Sequence, residues 1–178
     1  MTDIEAALWE RLRAGDESAL GDLFDRCEHR LFRHACRLLT SREDAKDAVA
    51  IALFELWRKR ASVRLVDGSP LPWLLTTVTN TARNLERSGR RYRALLARTP
   101  RSDSAEAPTA PDESGVLAAL SRLPERERSV VVLSVLEGYP DRDVAETLGI
   151  PVGTVKSRLS RAKARLRDEM TALEASWT

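Results

Sequence analysis

Asp141-Arg142-Asp143-Val144-Ala145-Glu146-Thr147-Leu148-Gly149-Ile150-Pro151-Val152-Gly153-Thr154-Val155-Lys156-Ser157-Arg158-Leu159-Ser160-Arg161-Ala162-Lys163-Ala164-Arg165-Leu166-Arg167 is the stretch that decides the fold. Apolar residues recur at helical spacing on both sides of Gly149-Ile150-Pro151, a turn in which Gly149 can supply a left-handed C-cap. Two helices on a short glycine-containing turn form a helix-turn-helix. At 100° per residue, Val155, Leu159, Ala162 and Leu166 fall within about 60° of one another and form a buried stripe. Thr154, Arg158, Arg161 and Arg165 line one flank, and Lys156, Ser160, Lys163 and Arg167 the other. Ser157 and Ala164 face outward between them. Six basic residues and no acidic one lie between Val152 and Arg167. A solvated face normally mixes signs, so this bias calls for a polyanion. Small residues at the centre allow close approach while long basic chains reach phosphates or base edges. That is how a recognition helix enters the major groove. Base-edge readout is expected from Lys156, Ser157, Arg158, Ser160 and Arg161, and phosphate contacts from Thr154, Lys163 and Arg165.

Upstream, helical segments are expected at 115–122 and 125–136. The second contains Val130-Val131-Val132-Leu133, which has strand propensity but sits between Pro124 and Gly138 in a longer helical pattern. Before these, residues 99–115 carry Pro100, Pro108 and Pro111 among Ser, Thr, Ala, Asp and Glu, with no large apolar side chain. Such a stretch cannot bury enough surface to offset its ordering entropy. It predicts a linker, 94–113, between domains 1–93 and 114–178. Roughly twenty residues span about 25 Å as a coil or about 65 Å extended.

The first domain reads as an all-α bundle. Leu20, Leu23, Phe24, Cys27, Leu31, Ala35 and Leu38 step at three and four residues along one amphipathic helix. Ser41 and Asp44 resemble a capping box opening a second helix, with Ala48, Ile51, Ala52, Glu55, Leu56 and Trp57. Pro70 and Pro72 open a third, running to about Arg93. Its apolar stripe is Leu71, Leu74, Leu75, Val78, Ala82 and Leu85. The opposite side presents Trp73, Thr76, Thr77, Asn80, Arg83, Asn84, Arg87 and Arg91. An aromatic, amides and a basic rail on one face suit single-stranded DNA; ordinary core packing is the competing reading of Trp73.

Bulk properties narrow the class. The 178 residues carry a net charge of +2, with 43% hydrophobic and 31% charged residues, ordinary for a soluble protein. No apolar run is long enough for a membrane span. Asp3, Glu5 and Glu10 stand where a signal peptide would be basic and then apolar, so a cytoplasmic protein is expected. Cys27 and Cys36 fall on one helix roughly 13 Å apart along its axis, too far for a disulfide. With His29 and His34 they could suggest zinc, but Cys27 lies on the apolar stripe, and a small core residue is the simpler reading. No metal or cofactor is expected. An enzyme acting on nucleic acid would need a carboxylate cluster or metal-ligand spacing. Asp44 and Asp47, one turn apart, do not supply it.

Leu123-Pro124-Glu125-Arg126 through Glu137-Gly138, and then 143–162, resembles region 4 of bacterial sigma factors of the extracytoplasmic-function group. The resemblance implies binding to the −35 promoter element. One departure is Pro140-Asp141, where the family commonly has a serine cap and an aromatic. Residues 23–60, then Pro72-Trp73-Leu74-Leu75 through Asn80-Thr81-Ala82-Arg83-Asn84 to Arg91, resemble region 2 of the same group. That implies contact with the core RNA polymerase and melting of the −10 element. Carried over by position, Asp44, Asp47, Ala48, Ile51, Phe54, Glu55 and Trp57 lie on the polymerase side. The loop 63–69, with Trp73, Thr77, Asn80, Arg83, Asn84 and Arg87, faces the −10 strand. Ala50-Ile51 stands where the family usually has Gln-Glu. Ile51 is then either a sticky exposed residue on the contact face or a core residue.

The resemblance implies a sigma factor rather than an enzyme, with core polymerase and promoter DNA as partners. No extra C-terminal domain is visible, so an anti-sigma protein is an expected inhibitor. Two DNA elements more than ~34 Å apart are reachable only with the linker drawn out, as in a tether along the polymerase. The competing reading is a stand-alone helix-turn-helix regulator. It would bind duplex tightly without polymerase and usually carries a dimerisation element, which the sequence lacks.

Overall fold

The computed structural model describes residues 3–63, 65, 68–96 and 114–175, and among these it is nearly all helical, with no β-strand. The chain divides into two compact units, Met1–Pro108 and Thr109–Thr178. The division falls within the stretch expected to be a linker, most of which lies outside the described residues.

Unit 1 contains α1 (Asp3–Arg13), α2 (Ser18–Leu38), α3 (Arg42–Lys59) and α4 (Leu71–Leu96). Helix α2 packs on all three others, and α3 also packs on α4. The stripe expected on α2 is realised by buried Leu23, Cys27, Leu31, Ala35 and Leu38. Cys36 is half-buried. Helix α3 opens as its sequence directs: Ser41 Oγ accepts the Asp44 N–H at 3.2 Å, satisfying one of the first-turn donors. Helix α4 buries Leu74, Leu75, Val78 and Ala82 and continues to Leu96, beyond the end expected near Arg93.

Helix α1 adds an element that apolar periodicity does not mark. It buries Leu8, Trp9 and Leu12, at the i, i+1, i+4 positions of one face. Its junction with α2 is polar. Asp16 Oδ1 accepts from the Ser18 N–H at 3.0 Å and the Ser18 hydroxyl at 2.6 Å. Arg11 Nε reaches Asp16 Oδ2 at 2.8 Å.

Unit 2 contains α5 (Ser114–Arg122), α6 (Glu125–Val131), a π-helical turn (Val132–Leu136), α7 (Asp141–Leu148) and α8 (Val152–Ala175). The Val130–Leu133 run is helical, because all four side chains are buried in the core and tertiary burial overrides local strand propensity. The helix then widens: the Glu137 N–H reaches the Val132 carbonyl at 3.0 Å, five residues back. Gly138, at φ +74°, reverses the chain. Buried Arg128 secures the α5–α6 corner, where its Nη2 donates to the carbonyls of Ser121 and Leu123, both at 3.1 Å. These are carbonyls that a helix end otherwise leaves unpaired.

Candidate nucleic-acid interfaces

The turn between α7 and α8 fixes the recognition helix. Gly149 takes φ +61°; its N–H bonds the Glu146 carbonyl and the Ile150 N–H bonds the Ala145 carbonyl. This pair of bonds is a Schellman motif, and Ile150 supplies its hydrophobic contact. Ile150, Tyr139 and Leu159 pack on a core of Val130, Leu133, Val144, Ala145, Leu148 and Val155. Pro140 caps α7 without a side-chain bond; its carbonyl accepts from the N–H groups of Asp143 and Val144. Asp141 and Asp143 lie in the first turn, where negative charge complements the helix dipole. Tyr139 provides an aromatic beside the Pro140-Asp141 departure.

Helix α8 presents the expected faces. Val155 and Ala162 are wholly buried, and Leu159 and Leu166 half-buried. Lys156, Ser157, Ser160, Arg161, Lys163 and Ala164 are exposed, and Thr154 and Arg158 half-buried. Arg161 Nε donates to the Ser157 carbonyl at 3.2 Å, and Ser157 Oγ to the Thr154 carbonyl at 3.1 Å. Arg165 differs from the phosphate contact that its sequence position suggests. Its Nε lies 3.1 Å from Oε2 of Glu127 on α6, whose side chain is 8% exposed.

On α4, Trp73, Thr76, Thr77, Asn80 and Arg83 are half-buried, and Asn84, Arg87 and Arg91 exposed, opposite the core stripe. Thr77 Oγ1 donates to the Trp73 carbonyl at 2.9 Å, which holds that hydroxyl against the helix. Arg64, Val66 and Asp67 of the preceding loop lie outside the described residues. At the other end of that loop, Arg60 stacks on the Trp57 ring, 4.2 Å from its centroid, and donates to the Trp57 carbonyl at 2.8 Å.

The outer face of α3 carries exposed Asp44, Asp47, Ile51 and Phe54. Phe54 is 63% and Ile51 42% exposed, so Ile51 is the surface residue of the two alternatives. Ala48 is corrected: it is wholly buried, because it falls on the core stripe, and cannot touch a partner. Glu55 is held by Arg58 at 2.7 Å and Lys59 at 3.1 Å. The Arg58 hydrogen bonds, then those of Lys59, lower its carboxyl below the ordinary range. Trp57 is half-buried. Beside this face, Leu20, Phe24, Phe32, Val49, Ala50 and Leu53 line an apolar groove of ≈ 380 Å³ between α2 and α3.

The family models for Sigma-70 region 2 and Sigma-70 region 4 match residues 23–92 and 115–166. The ECF RNA polymerase sigma factor SigM of Mycobacterium tuberculosis is 38% identical over 156 residues, 86% of this chain and 78% of that protein. The chain belongs to the extracytoplasmic-function sigma factors. The RNA polymerase sigma factor CarQ of Myxococcus xanthus is 31% identical over 172 residues, 93% of this chain and 97% of that protein. Among solved structures, the sigma factor RpoE of Bartonella quintana, in complex with the anti-sigma factor NepR, is 25% identical. It covers 83% of this chain and 94% of its own, with a TM-score of 0.66. CnrH, in complex with the cytosolic domain of CnrY, is 25% identical, covers 96% and 99%, and has a TM-score of 0.64. This sigma factor directs promoter-specific transcription by RNA polymerase. The family consists of specificity factors rather than enzymes. No described helix of this one is long and apolar enough to cross a membrane.

Proposed function

We propose that this sigma factor divides promoter recognition between its two units. Helix α8 enters the major groove of the −35 element, with Lys156, Ser157, Arg158, Ser160 and Arg161 at base edges and Thr154 and Lys163 at phosphates. Trp73, Thr77, Asn80, Arg83, Asn84 and Arg87 hold the melted −10 strand. Asp44, Asp47, Ile51, Phe54, Glu55 and Trp57 meet core polymerase in the cytoplasm. The reading rests on one observation above all. Helix α8 is sealed to its core by Val155 and Ala162 and offers outward a basic array centred on Ser157 and Ala164. A helix with small residues between cationic flanks fits a groove between two phosphate rails. The linker between α4 and α5 tethers the units along the polymerase.

An anti-sigma protein is the expected inhibitor, a reading supported by the complex of RpoE with the anti-sigma factor NepR. Run-off transcription with purified core polymerase on promoter DNA tests the proposal. Initiation dependent on the added chain is expected. No initiation, with tight duplex binding by the chain alone, would refute it.

A further inference from the structure

We infer that Glu127 withdraws the charge of Arg165 from the DNA-facing array of α8, so that an acid beneath the recognition helix limits its affinity for duplex. The inference rests on the reading of α8 as the duplex-facing helix. Arg165 sits about 90° from the centre of the buried stripe, within the basic flank between Arg158 and Arg161. From there its guanidinium turns toward α6, to 3.1 Å from the Glu127 carboxylate.

The two ends of this pair differ in freedom. The Arg165 side chain is 59% exposed, whereas Glu127 is 8% exposed and cannot follow it into solvent. Glu127 Oε2 is buried and no group in the described structure hydrogen-bonds to it, so the nearby Arg165 charge is what compensates it. Moving Arg165 to a phosphate would leave that carboxylate buried and uncompensated, a costly state. The pair therefore stays together at the DNA surface with a net charge near zero. Each phosphate neutralised by a protein cation contributes about 0.9 to the slope of log K against log salt. Arg165 contributes little while Glu127 holds it.

The test is the salt dependence of binding between the full chain and a short fluorescein-labelled duplex of arbitrary sequence, read by anisotropy. Arg165→Gln should leave the slope unchanged, although its position in the basic helix suggests a loss of about 0.9. Glu127→Gln should release Arg165 and steepen the slope by about 0.9. The double variant should return to the slope of Arg165→Gln. A flatter slope for Arg165→Gln overturns the inference, as does an unchanged slope for a folded Glu127→Gln. If melting shows that either single variant does not fold, the double variant, which leaves no buried charge uncompensated, decides alone: the wild-type slope is expected, and a flatter one overturns the inference. Lys156→Gln separates this inference from the reading beneath it. A flatter slope for Lys156→Gln keeps α8 on DNA whatever Arg165 does, and an unchanged one overturns both.

Discussion

Nε2 of His34 on α2 lies 2.8 Å from Oγ1 of Thr79 on α4, and both side chains are wholly buried. The Thr79 hydroxyl already donates to the Leu75 carbonyl at 2.9 Å. Its single proton is therefore used, and the imidazole must be the donor. The two helices are joined by a directed polar bond one residue before Asn80, on the proposed −10 face. The partners are consequently unequal. Thr79→Val strands a buried N–H and should destabilise unit 1 by about 1–3 kcal/mol. His34→Leu leaves Thr79 bonded to Leu75 and should cost less. Denaturant unfolding of both variants and the double mutant checks the order; a larger loss for His34→Leu would contradict this assignment of the proton.

Gly149 should resist substitution for a purely conformational reason. Its φ is +61°, and a Cβ built there meets nothing within 4 Å. Gly149→Ala should cost about 1 kcal/mol, the left-handed penalty of an ordinary residue. Gly149→Asn should cost less, because asparagine tolerates that region. Thermal melting ranks them, and a loss of several degrees for Asn but not Ala would point to a steric cause instead.

The outer face of α3 should affect assembly without affecting stability. Phe54→Ala removes a side chain that is 63% exposed and should change unfolding by no more than about 0.5 kcal/mol. If this face meets core polymerase, the same variant should weaken holoenzyme formation at least several-fold in a competition titration with core enzyme. Ile51→Lys should also weaken it, because the apolar contact would have to desolvate a charge. Unchanged affinity for both variants would move the polymerase contact elsewhere.

Acid should loosen the α1–α2 junction. The Asp16 carboxyl is held below its ordinary value, first by the Ser18 hydroxyl and then by Arg11. A depressed folded pKa stabilises the fold above the unfolded value, near 3.8, and that stability is lost as pH falls through the folded value. Asp16→Asn should therefore flatten the dependence of melting temperature on pH below about 4. A profile parallel to the wild type would show that this solvent-exposed network contributes nothing measurable.

Local periodicity made α2, α3, α4, α7 and α8 legible, because each places its buried residues at i, i+3 and i+4 along a single face. Gly149 and Ser41 were legible for the same reason: caps are written in adjacent residues. Helix α1 is less legible because its buried set, Leu8, Trp9 and Leu12, spans little more than one turn and, unlike the equally short set of α7, adjoins no helix-turn-helix pattern. Relationships between distant positions were out of reach. Nothing near Arg165 announces that Glu127, on another helix, will face it. In the sequence His34 suggests a metal ligand rather than the partner of Thr79, because forty-five residues separate them. The burial of Ala48 could have been read, since it shares a face with Ala45, Ala52 and Leu56; the carried-over motif obscured it.

The division of labour between the units yields the most direct prediction. Arg158 sits half-buried on the flank of α8 and Asn80 half-buried on α4, in separate units. A side chain that reads a base edge discriminates by about 1–3 kcal/mol. Arg158→Ala should therefore lose roughly 10-fold or more in preference for the cognate −35 element, with the rate of opening on a premelted template unaffected. Asn80→Ala should slow open-complex formation, because extruding a base costs a few kcal/mol that the −10 face must recover. Duplex affinity should stay nearly intact for Asn80→Ala. Gel-shift competition measures the first quantity and permanganate footprinting over time the second. Equal effects of the two variants in both assays would mean that recognition and melting are not separated between α8 and α4.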